Sequence, residues 1–214
     1  MIDALISSPW PGLVVWAGLF VSDSTLTIAC ARMYQAGVRD RIRFEGSYEI
    51  TPAHQADVDA LRRFSPRFLL ALALTCALQV CLWYLTVGLG LFRETYEVAL
   101  GGLILSQLTI HVRHLRNYFL FRRVLAGDGV SGRIDYGRAT MLQQSAVELG
   151  AFAVLHAAVA AIAASWFVFG GAASCASLAV SHWLLARKQE PATRISTQPP
   201  DRVAQRAAPG GDAR

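Results

Sequence analysis

Ionisable side chains lie inside apolar stretches of this sequence, where they are costly and therefore informative. Residues 105–123, LSQLTIHVRHLRNYFLFRR, contain His111 and His114 three positions apart, interleaved with Arg113 and Arg116. Histidines at this spacing share one side of a helix, where they can bind a metal ion, relay a proton or hydrogen-bond in a core. Arginines at the same level can hold a phosphate headgroup.

Matching polar residues occur in other apolar stretches. Because a charge in hydrocarbon is costly, each such residue needs a partner or a water-filled cavity. Depths reckoned at about 1.5 Å per residue from the cytoplasmic end of each span predict three pairs. These pairs are Arg113 with Glu148, Asp23 with His111, and Gln107 with His156. The predicted buried polar cluster comprises Asp23, Gln107, His111, Arg113, His114, Glu148 and His156.

Composition indicates a membrane protein. Of the 214 residues, 54% are hydrophobic and only 16% are charged, and the mean hydropathy is +0.37. Soluble domains are about a quarter charged. The net charge of +5 does not indicate nucleic-acid binding, because the basic residues flank apolar blocks, where lipid headgroups and membrane topology account for them.

The apolar blocks predict an all-α, polytopic transmembrane bundle of about five spans. The predicted spans are 11–34, 67–92, 96–121, 141–167 and 172–185. The first four have the roughly 20 residues that a membrane-crossing helix needs. The fifth is shorter, so it could be re-entrant, or it could continue the fourth as one helix bent at Gly170-Gly171.

Arginine placement predicts the orientation. Nineteen of the twenty basic residues fall in or beside the first loop, the loop after the third span and the tail, and Arg93 alone lies on the other side. The positive-inside rule then places the N-terminus outside and the C-terminus in the cytoplasm. Trp10, Trp16 and Trp166 are expected at the outer interface. The first ten residues lack Lys and Arg, so no cleavable signal is expected. Arginine- and alanine-rich composition favours a bacterial inner membrane.

Outside the spans the sequence offers little that can fold. Residues 1–188 form the predicted membrane domain, with a cytoplasmic loop at 35–66, and 189–214 a disordered cytoplasmic tail. In the loop, RIRFEGSYEI predicts a hairpin turning at Gly46. Thr51 and Pro52 predict the start of a short amphipathic helix carrying Val58.

The third span is polar on most sides of its inner half, so we expect it at the centre of the bundle or at a subunit interface. Nearer its end, Arg116, Arg122 and Arg123 are expected to contact lipid headgroups. Small residues at Ala153, Ala157, Ala160 and Ala164 allow close helix packing in the fourth span.

Several functions remain open. The leading hypothesis is a scaffold or accessory subunit, in a homo-oligomer or with a membrane partner, whose buried charges fix helix register. The first alternative is proton or ion translocation through Asp23, His111, His114 and Glu148. The second is an enzyme acting on a lipid headgroup, with His114 or His54 as base. A metal site at the His pair lacks a recognisable motif, and Cys30, Cys76, Cys81 and Cys175 show no metal-binding spacing. We therefore expect no metal or cofactor.

Overall fold

The computed structural model describes residues 2–128 and 131–189, which are mostly helical. They form seven α-helices: α1 (Ile2–Ile6), α2 (Pro9–Gln35), α3 (Gln55–Asp59), α4 (Pro66–Trp83), α5 (Arg93–Leu125), α6 (Arg138–Ala163) and α7 (Trp166–Gln189). A 3₁₀ turn, Val38–Asp40, follows α2, and a π-helical segment, Tyr84–Gly88, extends α4. Two short strands are β1 (Ile42–Phe44) and β2 (Ile134–Tyr136). Apart from Gln189, the predicted tail lies outside the described residues.

The five long helices, α2 and α4 to α7, coincide with the predicted spans but differ at their ends. At the start of α4, Ser65 Oγ accepts a hydrogen bond from the Phe68 amide at 3.2 Å. Pro66 follows at the first helical position, where no amide donor is needed. Helix α5 continues to Leu125, four residues beyond its predicted end. Helix α6 begins at Arg138, three residues before its predicted start.

The fifth long helix, α7, is separate from α6. Ala164 adopts a left-handed conformation with φ of 47° and ends α6. The new helix begins at Trp166 and has 24 residues, enough to cross a membrane. The expectation of one long helix bent at Gly170-Gly171 is therefore wrong, and those glycines lie inside α7.

Helices α5 and α7 approach each other closely, and this approach depends on glycine. A Cβ atom added to Gly101 would lie 1.8 Å from the Phe167 carbonyl oxygen, and one on Gly170 would lie 1.9 Å from that of Val98. The two backbones therefore touch, as small residues permit. The predicted alanine stripe of α6 packs only in part, since Ala153 and Ala160 are buried and Ala157 is exposed.

Helix α5 lies at the centre of the bundle, which confirms that expectation. It packs against α2 on one side and α7 on another, with α4 at the edge. Helix α7 packs against both α5 and α6, whereas the backbones of α5 and α6 have few close contacts with each other. A gap therefore separates α5 from α6.

Within the described residues, four helices are long and apolar enough to cross a membrane, which indicates a membrane protein. They are Pro9–Gln35, Pro66–Gly88, Arg138–Ala163 and Trp166–Gln189. Helix α5 has the length, but the polar residues of its second half lower its hydropathy. Among the predicted interface tryptophans, Trp10 and Trp166 are exposed. Trp16 is buried at 3% exposure and stacks on Phe20, and its position at the interface stays a prediction.

The connections group at two ends of the bundle. Strand β1, after α2, pairs in parallel with β2, between α5 and α6, with Ile42 opposite Ile134. At the other end, Arg93 forms an ion pair with Asp3 and another with Glu97. That pairing lowers the pKa of the exposed Asp3 carboxyl below its ordinary value.

The first loop folds differently from its prediction. Gly46 does turn the chain, with φ of 81°, but the partner of β1 is the distant β2, so the predicted hairpin is wrong. The short helix begins after His54, not at Thr51, and its Val58 is buried against the bundle. Because the partner strand β2 comes from a much later segment, no local sequence pattern near β1 predicts this pairing.

Candidate functional site: a polar layer between two cavities

Polar side chains from four helices meet at one level of the bundle. The centre is His114 of α5, whose Nε2 lies 3.3 Å from Asp23 Oδ1 and 3.4 Å from Thr27 Oγ1, both on α2. His114 is buried at 8% exposure. The sequence paired Asp23 with His111, so the actual partner lies one helical turn further along α5.

His111 makes other contacts with both of its ring nitrogens. Its Nδ1 lies 2.8 Å from the Gln107 carbonyl oxygen, and its Nε2 lies 2.6 Å from Ser22 Oγ. A carbonyl only accepts, so Nδ1 donates to Gln107, and Nε2 shares a hydrogen bond with the Ser22 hydroxyl. His111 is therefore satisfied without Asp23.

A second chain of hydrogen bonds joins α5, α6 and α7. Arg113 Nη1 donates to Ser145 Oγ of α6, and that hydroxyl lies 2.8 Å from His182 Nδ1 of α7. Ser145 is buried at 3% exposure. The Ser145 hydroxyl therefore links the guanidinium of Arg113 to the imidazole of His182.

Glu148 forms its ion pair with Arg116 and not with Arg113. The Arg116 side chain is 56% exposed and has the Glu148 carboxylate on α6 as its partner. Its contact with lipid headgroups stays a prediction. Of the other predicted headgroup residues, Arg122 lies over the Tyr118 ring at 5.9 Å. Arg123 is exposed.

The predicted pair of Gln107 and His156 does not form. His156 Nδ1 lies 3.9 Å from Cys175 Sγ, and its ring packs near Phe152. Helix α7 lies between the two predicted partners, so matching depth did not bring them together. In the described part of the chain, three buried atoms have no hydrogen-bond partner here: Asp23 Oδ1, Gln107 Nε2 and His114 Nδ1.

A cavity of about 610 Å³ opens in the gap between α5 and α6. Its polar lining includes Arg113, Arg116, Asn117 and Tyr48. Burial raises the pKa of Tyr48 well above its ordinary value, so this phenol is neutral. The lining also contains apolar side chains, namely Ile42, Phe44, Leu120, Phe121, Met141 and Val147.

A smaller cavity of about 140 Å³ lies on the other side of the same layer. It reaches from Asp23 to His54 and Asp57, at the end of the bundle that carries β1. Glu49, Arg113 and His114 line both cavities. The central side chains of the layer therefore contact two separate spaces.

In the described part of the chain, His111 and His114 do not form a metal site with other side chains. Within residues 2–128 and 131–189, no three His, Cys, Asp or Glu side chains converge in a way that could hold a metal ion. Both nitrogens of His111 are hydrogen-bonded, and Glu148 is paired with Arg116. The side chains of the layer are thus held by hydrogen bonds and ion pairs.

Sequence reasoning missed several members of the layer. Ser145 and His182 were not singled out, although His182, as an ionisable residue in an apolar block, carried the same signal as His111. Tyr48 and Glu49 come from the first loop, and only the folded chain brings them against α5.

No family model, curated protein or solved structure matches the chain. The helices define the class, a helical membrane protein, and any function must be argued from the residues themselves.

Proposed function

We propose that this protein binds an amphiphile with an anionic phosphate headgroup in the cavity between α5 and α6. One observation carries the proposal. Arg113 faces that cavity and is bonded to the neutral Ser145, and among the described residues it has no carboxylate ion-pair partner, whereas neighbouring Arg116 is paired with Glu148. A cation held at membrane depth requires a counter-charge, and a bound anion would supply it.

The mixed walls of the cavity support an amphiphile. The guanidinium of Arg113 and the amide of Asn117 are donors suited to phosphate oxygens. Val147 and Leu120, two of the apolar lining residues, are 67% and 40% exposed on the outer surfaces of their helices. A chain entering from the lipid between α5 and α6 would therefore meet apolar side chains while its headgroup reaches Arg113.

We further propose that α2, α4, α5, α6 and α7 all cross a bacterial inner membrane, with the N-terminus outside and the C-terminus in the cytoplasm. The grouping of connections supports this topology. The two Arg-rich connections meet through β1 and β2, and the sparsely charged end contains Asp3 and Arg93. The cavity then opens on the cytoplasmic half, where Arg122 and Arg123 can contact anionic headgroups.

Binding is tested with purified protein in an uncharged detergent, titrated with dihexanoyl phosphatidylglycerol. Zwitterionic dihexanoyl phosphatidylcholine is the control lipid, and inorganic phosphate distinguishes a lipid from a free anion. We expect Arg113→Gln to weaken binding at least about thirtyfold, equivalent to roughly 2 kcal/mol for a charged hydrogen-bonded contact. Arg122→Gln, which removes an exposed arginine outside the cavity, is the matched control. Equal affinity for both lipids contradicts the proposal.

The scaffold hypothesis is the alternative, and the outer face of α4 favours it. Leu70, Leu74 and Leu78 are 55–67% exposed there, which suits either lipid or a second subunit. A scaffold predicts no selective lipid binding, together with an oligomer that survives purification. An enzyme acting on the bound headgroup would instead release a modified lipid in the same titration.

Translocation through a single copy has less support. In the described residues, the interior of the other half of the bundle is filled by apolar and aromatic side chains, among them Trp16, Tyr96, Leu100 and Phe167. A proton or ion path needs polar groups or water across the full thickness. The polar layer therefore favours binding from one side.

A further inference from the structure

The contact between Asp23 and His114 lies where the two cavities adjoin. His114 lines both spaces, its Nε2 is 3.3 Å from Asp23 Oδ1, and its buried Nδ1 has no partner among the described residues. Nε2 is the ring nitrogen within reach of Asp23 and Thr27, so Nδ1 is the nitrogen left without a partner. One site for an additional proton is therefore built into the layer.

We propose that Asp23 and His114 form a proton-binding site that fills when an anion occupies the cavity at Arg113. This inference rests on the proposed function, because the anion is the one that Arg113 binds. The proton would come from water through the smaller cavity, past His54, and would add to the Nδ1 lone pair of His114. No other bond forms or breaks.

The charges explain why the two events are coupled. Without ligand, a second cation next to Arg113 is unfavourable. An anion in the larger cavity adds a negative charge beside the same histidine, and this favours the imidazolium. By linkage, protonation strengthens anion binding by the same factor that anion binding strengthens protonation.

Other charged and titratable groups face this pair from every packed element. Helix α2 contributes Asp23 itself, and α5 contributes His111, Arg113 and Arg116. The first loop and α3 contribute Tyr48, Glu49, His54, Asp57, Arg62 and Arg63. Helix α6 contributes Glu148, and α7 contributes His182, which is linked through Ser145. Among the histidines of this group, His114 alone lines both cavities and contacts a carboxylate. We therefore assign the linked proton to it.

The test is the number of protons taken up when phosphatidylglycerol binds. Its phosphodiester keeps one charge throughout the range, so protons taken up belong to the protein. Calorimetric titrations in buffers of different ionisation enthalpy should give close to one proton per lipid. Kd should rise with pH, by about tenfold per pH unit wherever the uptake is close to one proton per lipid.

Variants locate the proton. His114→Gln should bind with an uptake near zero and a Kd that is nearly independent of pH, and Asp23→Asn should also reduce the uptake. His156→Gln removes a histidine at a comparable location that packs against Cys175, outside the layer, and should behave as wild type.

Two outcomes separate this inference from the proposed function. Selective lipid binding by the wild-type protein without proton uptake overturns the proton site and leaves lipid binding intact. Absence of selective binding at every pH overturns both. Because the proton count is measured on the wild-type protein, the test does not depend on the variants folding.

Discussion

Substitution of Gly170 by alanine should force α5 and α7 apart at their closest approach. The added Cβ would lie 1.9 Å from the Val98 carbonyl oxygen, whereas non-bonded heavy atoms pack at about 3.5 Å, so the helices must separate by roughly 1.5 Å. Overpacking of this kind costs about 3 kcal/mol where backbone meets backbone. Alanine recovers about 1 kcal/mol of helix propensity, so the expected net loss is about 2 kcal/mol.

The free energy of unfolding in mixed detergent and SDS, followed by circular dichroism, measures this loss. Gly150→Ala on α6 is the matched control, because a Cβ there meets no atom within 4 Å. It should leave stability unchanged or raise it slightly. The double variant Gly101→Ala with Gly170→Ala should lose less than the sum of the two single losses, since one separation accommodates both methyl groups. A Gly170→Ala protein as stable as the Gly150→Ala protein refutes the backbone contact.

Three further results are expected. A double-mutant cycle of Arg116→Gln and Glu148→Gln should give a coupling energy of only about 0.2–1 kcal/mol, because Arg116 is largely exposed. A cycle of Glu148 with Arg113 should be additive. Coupling in the second cycle alone would contradict the observed pairing. Ser145→Ala should destabilise the protein by about 1–3 kcal/mol in the same unfolding assay, because a buried hydrogen-bonded hydroxyl is lost; no loss would mean that the bridge is unimportant. Tyr48 has a raised pKa in the folded state, so its contribution to stability is complete below its unfolded pKa near 10 and falls as the pH rises above it. Tyr48→Phe should reduce this loss of stability at alkaline pH. A loss identical to that of the wild-type protein would count against the prediction.

The sequence predicted the pattern of long helices and the central position of the third. Both follow from one physical rule, that apolar blocks of sufficient length form helices and that a helix polar on most sides must be surrounded by protein. The end of α5 was harder to predict. Arginine and aromatic residues near a membrane surface continue a helix as readily as they end it, and α5 extends to Leu125.

The misplaced end of α5 explains only one error in pairing, that of Asp23 with His111, because the start of α6 was displaced in the same direction by three residues. Depth was reckoned from residue 121, so every level on α5 was displaced by about one turn. Glu148 contacts Arg116 in place of Arg113, and Asp23 contacts His114 in place of His111, both three residues further along. Angular position was a separate difficulty, because no local pattern showed that α7 would lie between α5 and α6.

The loop contributions to the site had no sequence signal at all. Tyr48 and Glu49 reach the cavity because β1 is held in place by β2, and that pairing joins residues about ninety positions apart. Contacts between distant segments are set by the whole fold, and no periodicity within either segment reports them.

The parallel pairing of β1 and β2 also imposes an order on biogenesis. A ribosome makes β1 long before its partner, and α4 and α5 must both be synthesised in the interval. The wall of the cavity formed by the first loop therefore closes only after the α5–α6 connection has emerged, so nascent chains that end within α5 should leave that loop open to protease.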